Sequence, residues 1–65
     1  MFDVGDRVEL ISDSYKDGGH FKEDIGTVVD QVMTNHGKWS EQDIRVEWDS
    51  GAEECWISAD DFSIL

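Results

Sequence analysis

Proline is absent from this chain, cysteine occurs once, and only five basic residues stand against sixteen Asp and Glu. Each scarcity excludes something. Without proline, no strand is forced to a sheet edge by a missing N–H. The lone Cys55 cannot form an internal disulfide, and no Cys-x-x-Cys pair offers a zinc site instead, so packing alone must hold the core. Long apolar runs are missing too: nothing approaches the roughly 18 residues of a membrane span. Met1-Phe2-Asp3-Val4-Gly5-Asp6 carries neither a basic n-region nor an apolar run. A soluble protein of the reducing cytoplasm, without membrane contact, is the expectation.

The shortage of cations leaves a formal net charge of −11. Such a charge repels phosphate backbones and draws basic surfaces, so a basic protein surface is expected as partner and direct nucleic-acid contact is not. The acid is also unevenly placed. Glu47, Asp49, Glu53, Glu54, Asp60 and Asp61 all follow Arg45, the last basic residue.

What is present is a set of aromatics, three Trp, three Phe and one Tyr, in 65 residues. That length makes one domain, 1–65, near the lower limit for a single core, since so small a domain buries only about 60% of its unfolded surface. Low hydropathy with high net charge also describes disorder, but the patterning argues for a fold.

Arg7-Val8-Glu9-Leu10-Ile11 alternates polar and apolar after the Gly5-Asp6 turn and predicts a first strand. Residues 12–24 are rich in turn formers, Gly18-Gly19 among them, and predict a long excursion. Ile25 to Met33 is β-branched and apolar enough for a second strand, in which Gly26 signals a bulge or a close backbone approach. Thr34 to Asp43 is polar and predicts a second loop carrying Trp39. Ile44-Arg45-Val46-Glu47-Trp48 alternates strictly, and Asp49-Ser50-Gly51 turns the chain into Glu53-Glu54-Cys55-Trp56-Ile57, giving strands three and four. Ser58 caps a single 3-10 turn before Phe62-Ser63-Ile64-Leu65 closes the chain as strand five. No apolar stripe recurs at helical spacing, so the class is all-β.

A long first loop, a medium second loop, a tight hairpin and one helical turn before the last of five strands resemble an SH3-like barrel. Locally, Val4-Gly5-Asp6-Arg7-Val8, Ile25-Gly26-Thr27-Val28-Val29 and Val46-Glu47-Trp48-Asp49-Ser50-Gly51 resemble small barrels of the Mind-bomb/Herc and KOW kinds. The resemblance spans nearly the whole chain and is carried by short pieces that barrel geometry itself demands, so it implies fold more than function. Mind-bomb/Herc-type domains are protein-interaction modules, whereas KOW barrels commonly touch RNA, ribosomal or transcription proteins; the acidity favours the first.

SH3-like barrels usually bind between their first two loops, which makes Tyr15, Phe21, Trp39 and Trp56 the expected contact residues, with Glu47, Asp49, Glu53, Glu54, Asp60 and Asp61 as the acidic field around them. The competing expectation is that some of these aromatics are lids over the barrel ends. Trp48, in phase with Ile44 and Val46, belongs to the core; Trp56 is in phase with Glu54 and faces out. Three converging aromatics with an acidic rim would make a cage for a methylated cation. Asp13, Asp17, Gly18 and Asp24 match parts of a calcium-loop spacing, but Tyr15 stands where a ligand is needed and no helices flank the loop. His20, His36 and Cys55 fit no known ligand or nucleophile spacing, and adjacent carboxylates on a strand point to opposite faces. No enzyme, no metal and no cofactor are expected. The favoured function is a non-enzymatic protein-binding module. The alternatives are a DNA mimic, such as a phage-encoded inhibitor of a host nucleic-acid-binding protein, and a subunit whose acid faces basic neighbours in an assembly.

Overall fold

Alternation turns directly into burial in the strands that have one face on the core. In a computed structural model describing residues 1–65, Val8 and Leu10 of β1 (Arg7–Leu10) are wholly buried while Arg7 and Glu9 face out. β2 runs Ile25–Asn35, β3 Ser40–Trp48, β4 Trp56–Ser58 and β5 Phe62–Ile64. All pairings are antiparallel, in the order β4-β3-β2-β1-β5. The fold is thus all-β, an antiparallel sheet of five strands whose edges, β4 and β5, are not joined to one another.

Directly paired residues share a face, so the register defines the core. Val8 lies opposite Gly26, Gly26 opposite Trp48, Val28 opposite Val46, and Ile44 opposite Ile57. Together with Leu10 and Phe62 these apolar side chains form one buried cluster. Phe2, Tyr15, Ala52, Cys55 and Ala59 pack around it. At Gly26 the backbone approaches β3 so closely that a Cβ would stand 2.3 Å from Val46 Cγ1 and 2.5 Å from the Glu47 carbonyl oxygen. Of the two readings of Gly26, close approach is correct; the bulge sits three residues on, where the β2–β3 register skips Val29 between Val28 and Asp30.

Two expectations about connections need correction. Thr34–Asp43 is not a loop: β2 and β3 remain paired out to Asn35 opposite Ser40, and a four-residue turn, 36–39, joins them. Gly37 adopts φ +86° there and its N–H donates to Asn35 Oδ1 at 2.9 Å, so local turn chemistry closes the hairpin. The turn at Asp49-Ser50-Gly51 exists, with the Gly51 N–H donating to the Trp48 carbonyl at 3.0 Å and Gly51 at φ +80°. It does not lead straight into a strand, however. Residues 49–55 form an irregular connection and β4 starts only at Trp56, because β4 pairs with the middle of β3, at Asp43, Ile44 and Arg45, and the chain must travel back to reach it. Cys55 accordingly lies just outside β4.

The 12–24 excursion holds its own 3-10 turn, Lys16–Gly18, additional to Ala59–Asp61 before β5. Ser58 accepts the Asp60 N–H as the cap of the latter at 3.4 Å. At the other end of the chain, buried Gln42 accepts from the Phe2 N–H at 2.9 Å and donates to the Phe2 carbonyl at 2.8 Å, strapping the N-terminus against the inner face of the β2–β3 hairpin.

Candidate binding surface

Residues that alternate with the core on β2, β3 and β4 make one solvent face. Across it, Trp56 pairs with Arg45 and Arg45 with Asp30; in the next row Ser58 pairs with Asp43 and Asp43 with Val32; beyond that stand Glu41 and Thr34. Trp56 is 48% exposed, as its phase with Glu54 implied. The Arg45 guanidinium lies 5.6 Å from the Trp56 ring centroid and pairs with Glu54 at 3.4 Å and Asp30 at 3.8 Å. One cation therefore organises two carboxylates and an indole. It does so from an exposed position, where such pairs contribute little stability and mainly fix geometry.

Toward β1 the same face carries Arg7, Thr27 and Glu47 in a row. Arg7 holds Asp49 through two parallel bonds, 2.8 and 2.5 Å, and donates to Thr27 Oγ1 at 3.0 Å. The hydrogen bond from Arg7, resisted by desolvation and assisted by the guanidinium charge, holds the Asp49 carboxyl below the usual range.

The four expected aromatic contacts separate into different environments. Trp39 sits in the 36–39 turn, 58% exposed, stacked on His36 at 4.1 Å between centroids, and His36 Nε2 lies 3.4 Å from Glu41 Oε2. Phe21 is 52% exposed at the end of the first excursion. Tyr15 is half-buried against the core and its hydroxyl donates to Asp61, which makes it a lid. Six residues along the chain separate Trp39 from Arg45, the partner of Trp56; at about 3.3 Å per residue this is about 20 Å. The geometry does not bring three aromatics to one point as a methyl-cation cage requires.

Of the expected acidic residues, Glu47, Glu53 and Asp60 are exposed and stand outside the ion pairs, Asp49 and Glu54 are paired with arginines, and Asp61 holds Tyr15. The calcium-like spacing does not close around a site: Asp24 accepts the Phe21 N–H at 2.9 Å while Asp13 faces Lys16 at 3.9 Å.

Sequence spacing missed two features. His20 is 3% exposed, stacked on Trp48 at 4.8 Å, with Nε2 3.3 Å from Cys55 Sγ. Burial first, and the Glu53 charge second, push the Cys55 thiol up, so this contact holds a neutral thiol, not an activated thiolate. Thirty-five residues separate the pair, and only the fold connects them. The second is the outward run Asp30, Val32, Thr34 of β2, whose phase depends on the bulge at Val29.

No helix is long and apolar enough to cross a membrane. Compared with family models, with curated proteins and with solved structures, the chain matches none.

Proposed function

We propose that the chain is a small SH3-like barrel acting as a non-enzymatic protein-binding module, which offers an acidic surface with aromatic anchors to a basic partner. Support for the barrel comes from strand order: the last strand returns beside the first, after a long first excursion and a 3-10 turn. One observation carries the function. Trp56 stands open to solvent on a sheet face set with Asp30, Glu41, Asp43, Glu47 and Glu54, against which only Arg7 and Arg45 supply positive charge. An indole so placed gives a binding partner apolar area and a ring face for a cation, while the carboxylates steer basic surfaces toward it.

The face is open and shallow, which suits association through a surface more than turnover in an enclosed site. Trp56→Ala and Trp39→Ala test the reading against a confirmed partner. Under this proposal each weakens the complex tenfold or more, and Glu47→Gln or Glu53→Gln slows association with a smaller loss of affinity. If the carboxylate changes dominate and the tryptophan changes are silent, the chain acts as a DNA mimic instead. If neither set alters affinity, both readings fail.

A further inference from the structure

The β2–β3 hairpin outruns its neighbours. β1 pairs with β2 only at 25–27, and β4 with β3 only at 43–45, so β2 beyond Val28 has β3 on one side and solvent on the other. Residues 31–40 are all exposed. Apart from the β2–β3 ladder, no backbone hydrogen bond reaches residues 29–35.

The hydrogen-bond phase says which groups are free. In an antiparallel pair, residues alternate between exchanging both backbone bonds and pointing them away. The His36 N–H donates to the Trp39 carbonyl at 2.8 Å, which anchors that phase at 36 opposite 39. Thr34 and Val32 therefore bond toward β3, while Asn35, Met33 and Gln31 direct their backbone groups to the open edge. The Gln31 N–H agrees: it is taken by its neighbour's side chain, Asp30 Oδ1, at 2.8 Å.

Sheet edges are normally blunted by being short, by lysine, by proline or by a bulge. β4 and β5 have three residues each. The β2 edge past its bulge has none of these protections: Gln31-Val32-Met33-Thr34-Asn35 is uncharged and holds two half-exposed apolar side chains, Val32 at 46% and Met33 at 42%.

We propose that this edge, Gln31–Asn35, receives an extended segment of the basic partner as an added β-strand, with the backbone of Met33 and Asn35 as its template. The proposal rests on the acidic-surface reading above and deepens it. The two faces of the hairpin specify the segment. On the outer face the added strand lies beside Val32 and Thr34, with Asp30 at the near end and Asp43 and Glu41 one strand further, within reach of a long Lys or Arg side chain; on the inner face it lies beside Gln31, Met33 and Asn35. An added strand therefore carries Lys or Arg at alternate positions with apolar residues between them. A second copy of this chain brings another −11 to the contact and is disfavoured by it.

Two ten-residue peptides test this, one alternating Lys and Val, the other alternating Lys and Pro. They carry equal charge, but the proline peptide lacks half its N–H donors and cannot join a ladder. The expected result is at least tenfold tighter binding of the Lys/Val peptide, with the Met33 and Asn35 amides shifting and gaining protection from hydrogen exchange. Met33→Pro, placed where the N–H is not used by β3, should abolish the preference and leave weak, salt-sensitive binding of both peptides. Should that variant not fold, the peptide comparison and amide mapping on the unaltered chain decide alone. Equal binding of the two peptides overturns strand addition and leaves the acidic-surface reading standing; binding of neither overturns both. Shifts at Met33 and Asn35 that grow with protein concentration, without peptide, overturn the proposal in favour of a second copy.

Discussion

Tyr15 and Gly26 show how much single positions carry in a core this small. The Tyr15 hydroxyl donates to Asp61; this bond, then burial, then nearby negative charge push its pKa up to about 12. A phenol raised above its unfolded value of roughly 10 contributes stability that is complete below pH 10 and is lost as pH rises through the folded value. Thermal melts should therefore show an alkaline loss between about pH 10 and 12 that Tyr15→Phe removes, and ultraviolet titration of the phenolate should follow the same window. A phenolate titrating near its ordinary value in the folded chain would contradict the tether. Gly26 is constrained from the other side, by Val46 and the Glu47 carbonyl, which a methyl group cannot occupy without moving β3. Gly26→Ala should lower stability by about 1–3 kcal/mol, read as an earlier urea midpoint at unchanged slope.

Strands were legible where one face is covered, and only there. Val8 and Leu10, or Ile44, Val46 and Trp48, alternate with polar residues because one side of the strand packs and the other is wet. The same physics placed Trp48 inside and Trp56 outside. The outer part of the β2–β3 hairpin, residues 31–40, has water on both faces, so nothing forces an alternating pattern there, and polar residues 34–43 looked like a loop although strand pairing continues up to the 36–39 turn from both sides. The start of β4 was hidden because its register with mid-β3 is a long-range choice, and the His20–Cys55 contact because it depends on two loops meeting. Lacking core contacts, the arm should open locally at far lower cost than the sheet. Amide exchange measured by NMR should be fast across 31–40 and slow at Val8, Leu10 and Val46; uniform protection along β2 would refute the distinction.

Charge and shape act together on the whole molecule. Its extents are 36 × 24 × 18 Å, only a few Debye lengths at 0.1 M salt, where the screening length is about 10 Å. Carboxylates on opposite sides therefore repel one another through most of the molecule at low ionic strength, and that repulsion is relieved by salt. Arg7 and Asp49, bonded at 2.5–2.8 Å, are screened far less. Stability should accordingly rise with added sodium chloride, seen as a higher melting temperature at 0.2 M than at 0.01 M; a flat or falling midpoint would show that the excess charge is not a destabilising load. The same experiment in the presence of a basic ligand should show a smaller increment, because the ligand has already neutralised part of the field.

Cys55 is the only thiol, and it is held neutral and half-buried beside His20 where the 49–55 connection meets the first excursion. Partial burial and the raised thiol pKa both slow alkylation there, and parting of those two segments speeds it. The molecule thus carries its own reporter for that corner of the fold: a change in the rate at which an electrophile labels this sulfur registers a change in how the two segments meet, with no added probe and no need to unfold the sheet.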